Sequence, residues 1–146
     1  MGQELPMHAY LNTAFKAARE ASQHILFKLD RLDTIDVKPI EKNHYVTDVD
    51  QASETIITRI LKQAYPEHSV LGELQGLTEG DPNRQWIVEP LDGVTNFIHG
   101  YPFFAISIAF KQDQLIQHAL IYDPIAQELY TASRGQGAYL MIHAYV

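Results

Sequence analysis

The sequence predicts an α+β domain in which two N-terminal helices pack on one face of a largely antiparallel sheet. Two observations carry this. Apolar residues recur at helical spacing in two segments before residue 65, and short apolar runs joined by tight turns follow them. Helices first and hairpin-connected strands second place the helices together against a sheet. With 146 residues, 46% of them hydrophobic and 20% charged, the chain is long enough for one ordinary domain with a real core.

Residues 6 to 29 are expected to be helical. Tyr10, Ala14, Ala17, Ala18, Ala21, Ile25 and Leu29 recur on one face, and Pro6 suits a first turn. Residues 30–44 are polar and interrupted by Pro39, which reads as a loop, with Tyr45–Val46 a short strand. A second helix starts near Thr47 or Asp48, both good N-caps. Its stripe is Val49, Ser53, Ile56, Ile57, Ile60, Leu61 and Ala64, with Ser53 a small polar interruption, and Pro66 closes it. Ser69–Leu71 reads as a short strand, 75–84 as a turn-rich loop and Gln85–Val88 as the next strand. Phe103–Phe110 is a strongly apolar strand and Lys111–Gln114 a polar turn. Leu115–Tyr122 and Gln127–Ala132 are strands joined at Asp123–Pro124. Arg134-Gly135-Gln136-Gly137 makes one more turn.

The bulk numbers exclude several functions. No apolar run approaches the length of a membrane span, so no membrane partner is expected. Residues 1–10 lack the basic start and apolar centre of a signal peptide, which points to the cytoplasm. The absence of Cys removes disulfides, a thiolate nucleophile and a Cys-ligated metal. A formal charge of −7 argues against direct nucleic-acid binding, which needs a basic surface. It is no bar to a phosphate substrate where a metal supplies the positive charge. The seven His residues show no ligand spacing of the His-x-x-x-His kind.

The most informative stretch is Trp-Ile-Val-Glu-Pro-Leu-Asp-Gly-Val-Thr-Asn-Phe-Ile-His-Gly-Tyr-Pro, residues 86–102. A strand-like run ends in two carboxylates, Glu89 and Asp92, and a Gly with hydroxyl and amide residues follows. Glu73 follows a strand that ends in Gly72, and Asp50 stands where a loop enters the second helix. If the two strands are neighbours, Glu73, Glu89 and Asp92 converge at one sheet end, a plausible cage for Mg²⁺, to which Leu91 could add its carbonyl. Solvated acids at loop ends are the competing reading. Gly93-Val94-Thr95-Asn96 could open a short helix or nest that holds a phosphate. A turn into the next strand fits the spacing slightly better.

Glu-Pro-Leu-Asp-Gly-Val-Thr-Asn-Phe closely resembles the signature of the inositol monophosphatase family, usually Asp-Pro-(Leu/Ile)-Asp-Gly-Thr-Thr-Asn-Phe. Gly72-Glu73 is similar to its Gly-Glu-Glu element, Tyr45-Val46-Thr47-Asp48-Val49-Asp50 to its Val-Thr-x-x-Asp element, and Arg134-Gly135-Gln136-Gly137-Ala138 to a later turn. Order and separation agree from about residue 8 to residue 140, and the bacterial SuhB-like branch is the nearest in pattern. The resemblance implies half of the layered inositol-phosphatase-like sandwich. It also implies a Mg²⁺-dependent, Li⁺-sensitive phosphomonoesterase acting on myo-inositol monophosphates by in-line displacement. In that scheme Glu73 is a metal ligand that helps activate water, and Glu89, Asp92 and the Leu91 carbonyl are further ligands. Asp50 supports them or holds another metal. Asp92, Gly93, Val94 and Thr95 form the substrate-binding group, with the Gly93 and Val94 amides on the phosphate. Lys38 matches a family Lys near the metals. Homo-oligomers are implied too, and the SuhB-like branch adds transcription-elongation factors of ribosomal RNA antitermination as partners.

The chain also departs from that pattern. Glu89 replaces Asp and moves the carboxylate by roughly 1.5 Å, about one C–C bond, where catalytic groups tolerate about 0.5 Å. Val94 replaces a Thr whose hydroxyl orients and deprotonates water, a loss typically worth about 10²–10⁴-fold in rate. Thr95 faces elsewhere if the backbone follows the family, and Leu74 replaces a second Glu. Family chains are nearly twice as long, and their second half carries a Trp-Asp element that completes the metal site. The expectation is a truncated N-terminal half over residues 1–146, impaired or inactive as an enzyme, with an exposed hydrophobic face that favours association. The alternative is a catalytically relic binding protein.

Overall fold

The structure, a computed structural model, describes residues 7–42 and 44–144. Pro6, expected in the first helical turn, lies outside them. Helix α1 (Ala9–Leu29) is capped by His8, whose Nδ1 accepts the Tyr10 N–H. It buries Leu11, Ala14, Ala17, Ala18, Ala21 and Ile25. Helix α2 (Asp48–Ala64) buries Val49, Ile57, Ile60 and Leu61. Of the two candidate caps, Thr47 is the one used. Its hydroxyl accepts the Val49 and Asp50 N–H groups while Asp50 Oδ1 accepts the Thr47 N–H, a reciprocal capping box.

The α+β prediction holds. A seven-stranded sheet runs in the order β4-β3-β5-β6-β7-β8-β9, and α1 and α2 cover one face. Its strands are β3 (His68–Gly72), β4 (Gly76–Thr78), β5 (Asp81–Asp92), β6 (Ala105–Gln112), β7 (Leu115–Asp123), β8 (Glu128–Ser133) and β9 (Gly137–Ile142). Every neighbouring pair is antiparallel except β3 and β5, which run parallel. A separate hairpin pairs β1 (Val37–Glu41) with β2 (His44–Thr47).

Several boundaries differ from the sequence reading. Residues 30–44 are not a plain loop: a 3₁₀ turn (Leu32–Thr34) and β1 lie there. Pro39 did not prevent a strand because a two-stranded ribbon consists only of edges, where a missing N–H is tolerated. The expected loop 75–84 contains β4 and the start of β5, and Gly137–Ile142 forms an additional edge strand. Strand β6 begins at Ala105 rather than Phe103, which is exposed. The polar turn narrows to Asp113–Gln114, both with positive φ, as a tight two-residue hairpin requires.

One connection decides how the sheet is wired. Strand β4 leads into β5 through Glu79–Gly80 alone, and the chain crosses the start of β3 on the way. A Cβ on Gly80 would lie 2.5 Å from the carbonyl carbon and oxygen of His68, so only glycine passes. The Lys62 ammonium fixes the crossing by donating to the Pro66, His68 and Glu79 carbonyls at 2.9, 2.7 and 3.0 Å.

Beneath α1 the core is aromatic. Trp86, Phe110, Tyr10, Tyr65 and His68 form one ring cluster, and Trp86 Nε1 donates to His68 Nδ1 at 3.1 Å. His118 stacks on His8 at 4.1 Å and bonds the Ser133 hydroxyl through Nδ1. Burial pushes the pKa of both His68 and His118 down, so the fold prefers them neutral. Their contribution is complete above the ordinary His value of about 6.5 and is lost as pH falls through the lower folded values. Between pH 7.5 and 5.5 the thermal midpoint of the wild type should therefore fall relative to that of His118→Gln. A constant gap between the two would show that the ring charges without penalty.

The other face of the sheet is open. In register across β6 to β9 it presents Ser107, Ile121, Tyr130 and Leu140, the last three 47%, 42% and 52% exposed. Among the described residues no helix is long and apolar enough to cross a membrane.

Candidate metal centre

The parallel pairing of β3 and β5 brings the two acidic segments to the same sheet end. Gly72 is in register with Val88, and the Glu73 N–H continues the ladder to the Val88 carbonyl at 3.2 Å. Glu73 and Glu89 thereby leave adjacent strands side by side. Beyond Glu89 the strand bulges: Glu89 pairs with Ser107 but Asp92 with Ala105, one residue more on β5 than on β6. Pro90 sits in the bulge, where its missing N–H costs no ladder bond. Asp50 comes from the first turn of α2 and is 3% exposed.

These residues share a cleft of about 260 Å³. Asp50, Glu73 and Glu89 line it together with Leu74 and Leu91. The β2 residues His44, Tyr45 and Val46 form one wall, and Gly93, Val94, Thr95 and Asn96 form the other. Asp92 is exposed and lies outside the lining. Lys38 is exposed on β1 and does not line the cleft either, although it is in register with Val46, which does.

Among the described residues no Lys or Arg lines the cleft. Burial raises the Asp50 pKa, against the lowering effect of the hydroxyl and amide of Thr47, which both donate to Oδ1. Burial likewise raises Glu73, and the charges of Asp50, Glu54 and Asp92 push it further the same way, with His44 pulling it back. Glu89 rises through burial and then through Asp92 and Glu73. A concentration of hard, partly buried oxygens, with His44 as the one basic group among the lining residues, suits Mg²⁺. The fit is one of chemistry rather than of a finished cage. Among the described residues no three His, Asp or Glu side chains stand close enough to enclose a cation.

The second wall is a short helix, α3 (Val94–Ile98), where the spacing had slightly favoured a plain turn. Gly93 starts it with φ +97°, and a Cβ there would also press on the Phe103 carbonyl at 3.1 Å. Val94 occupies the first helical position, so its N–H has no partner within the helix. Thr95, one of the substrate-binding group that the resemblance implies, lines the cleft. Asn96 donates from Nδ2 to the Phe103 carbonyl at 2.9 Å and ties α3 to the chain entering β6.

Two residues of α2 escaped the sequence reading as site residues. Ser53 Oγ donates to the Pro90 carbonyl at 2.8 Å. Glu54 is fully buried, and its carboxylate accepts the Leu74 and Gln75 N–H groups at 2.9 and 2.6 Å. The available signal was spacing: positions three and four after Asp50 share its side of a helix.

Comparison with known proteins agrees with this fold. The profile described as "Inositol monophosphatase family" matches residues 7–142. The Nus factor SuhB of Pseudomonas aeruginosa is 47% identical over 137 residues, which cover 92% of this chain and 51% of that protein. The crystal structure of extragenic suppressor protein suhB from Bartonella henselae superimposes with a TM-score of 0.88 at 37% identity, over 91% of this chain and 52% of that one. The Thermotoga maritima IMPase gives a TM-score of 0.82 at 26% identity, over 91% and 51%. The chain spans about half the length of the curated relatives it matches. Its helix pair and its sheet belong to an architecture shared with these structures, and the chain belongs to the inositol monophosphatase family.

Proposed function

We propose that the cleft binds Mg²⁺ and the phosphate of an inositol monophosphate, as in a phosphomonoesterase, with weak or no turnover by this chain alone. One observation carries the reading: Asp50, Glu73 and Glu89 line a single cleft with Val94 at the start of a helix and no Lys or Arg in the lining. Glu73, Glu89 and the Leu91 carbonyl would hold the cation, with Asp92 joining from the rim and Asp50 in support. The bound ion would lower the pKa of water and offset phosphoryl charge. Glu73 would also help to activate the attacking water. The Gly93 and Val94 amides would bind phosphate oxygens, next to the Thr95 hydroxyl. Lys38, on the exposed hairpin strand, would add positive charge near the cleft. The departures at positions 74, 89 and 94 all lie in the cleft lining, which is the reason to expect impairment.

Phosphate release from inositol 1-phosphate with Mg²⁺ tests the reading, and robust Li⁺-inhibited turnover would refute the impairment. Titration calorimetry tests the metal directly. Raised carboxyl pKa values mean that protons compete with the cation up to a higher pH than at ordinary carboxylates. Mg²⁺ affinity should weaken as pH falls from neutrality toward the carboxyl range, with proton release there visible as a heat that depends on the buffer. An affinity flat with pH would count against the site.

The names of the relatives favour a second reading, in which the chain is a cytoplasmic binding protein that keeps the fold and lets the chemistry lapse. Curated relatives are named Nus factor SuhB, and the three motif departures, Leu74, Glu89 and Val94, lie in the cleft lining and not in the buried core. Its partners would be transcription-elongation factors rather than nucleic acid itself. Absence of any complex with such purified factors would remove it. The open sheet face supports self-association in either case.

A further inference from the structure

We propose that Ser53 and Glu54 are positioning residues: from one side of α2 they set the spacing between the Glu73 turn and the Glu89–Asp92 bulge. The inference rests on the metal-binding reading for its functional consequence but not for its structural content. Glu73 belongs to a turn that only a three-residue edge strand, β4, continues, and a short edge strand is a weak support. Glu54 supplies what the strand does not. Its two oxygens hold the N–H groups of Leu74 and Gln75, the residues directly after Glu73. Charge-assisted bonds of this kind are about twice as strong as neutral ones.

Gly72 is shaped to the same purpose. A Cβ there would lie 2.3 Å from the Glu54 carboxyl carbon, so the carboxylate fills the space that any side chain would take. Gln75 adds a second tie, donating from Nε2 to the Thr55 hydroxyl at 2.6 Å. One residue before Glu54, Ser53 holds the Pro90 carbonyl inside the bulge. A single helix turn therefore grips both acidic segments, while the same helix presents Asp50 to the cleft. An offset of about 1 Å in either segment exceeds what a working site tolerates.

The test combines Mg²⁺ calorimetry with amide hydrogen exchange on the intact chain. Glu54→Gln keeps the volume but replaces one acceptor with a donor, so one amide loses its partner. In the wild type the Leu74 and Gln75 amides should be protected, and in Glu54→Gln at least one should exchange faster. Mg²⁺ affinity should fall about 10–100-fold, the usual effect of removing support behind a metal ligand, with helix and sheet signals unchanged at 20 °C. A smaller fall is expected for Ser53→Ala. Equal affinity in Glu54→Gln and wild type would overturn the proposal, because a merely structural role shifts the melt and spares the affinity. If the wild type binds no Mg²⁺, the metal reading fails and exchange decides the positioning alone. Unprotected Leu74 and Gln75 amides in the wild type, or protection unaltered in Glu54→Gln, would overturn it. Should Glu54→Gln fail to fold, the wild-type amides and Ser53→Ala still decide.

Discussion

Val94→Thr combined with Glu89→Asp, made in a chain completed to the length of its relatives, should raise phosphate release from inositol 1-phosphate by about 10²–10⁴-fold. The wall of the cleft explains why so small a change matters. Val94 stands at the first position of α3, fixed from below by Gly93 in a left-handed conformation and by Asn96 on the Phe103 carbonyl. Thr is close to Val in volume, so it enters this frame without repacking and adds a hydroxyl where water would be oriented. Glu89→Asp withdraws the carboxylate by roughly one C–C bond, about 1.5 Å, toward β5. The two should act together, since both bear on the same water and metal. A colorimetric phosphate assay reads the result. An unchanged rate would mean that the cleft is not the place of catalysis, and the binding-protein reading would then stand alone.

Trp86→Ala should lower stability by about 3–5 kcal/mol, the upper range for truncating a single core side chain. The ring is 1% exposed and packs on Phe110 and Tyr10, with centroids 4.9 and 5.8 Å away. Removing it opens a cavity between α1 and the middle of the sheet. It also leaves His68 Nδ1, now paired with the indole N–H at 3.1 Å, buried without a donor. Because the chain has a single Trp, unfolding in urea is best followed by circular dichroism. A loss below about 1 kcal/mol would show that the site collapses around the gap.

How much of this was legible in the sequence depended on the type of signal. The 3.6-residue stripes of α1 and α2 and the apolar run of β6 are strong periodic patterns, and the structure follows them. Weak edges were not legible. β4 and β1 are three and five residues long and mostly exposed, and their sequences read as turns because no buried face imposes alternation. The carboxylates were found because they interrupt apolar strands. Glu54 was passed over because a single acid inside a helix usually faces water, and its burial depends on amides twenty residues away. Lys38 shows the converse: a residue type suited to the chemistry, placed by the fold on a hairpin beside the cleft and not in its lining.

The two-residue passage through Glu79–Gly80 makes some points of this chain far less open to redesign than others. The turns at Asp113–Gln114 and Arg134–Gly137 are exposed and close hairpins, so tags, cut sites or new chain ends placed there leave the ladder intact. A single residue added beside Gly80 would instead displace Lys62 from its three carbonyls and shift β5 against β3. A one-residue slip turns each side chain to the opposite face, which would send Glu89 away from Glu73 and Trp86 out of the core. The reading frame of the acidic cleft is thus set some nine residues upstream of Glu89, at a glycine that carries no chemistry of its own.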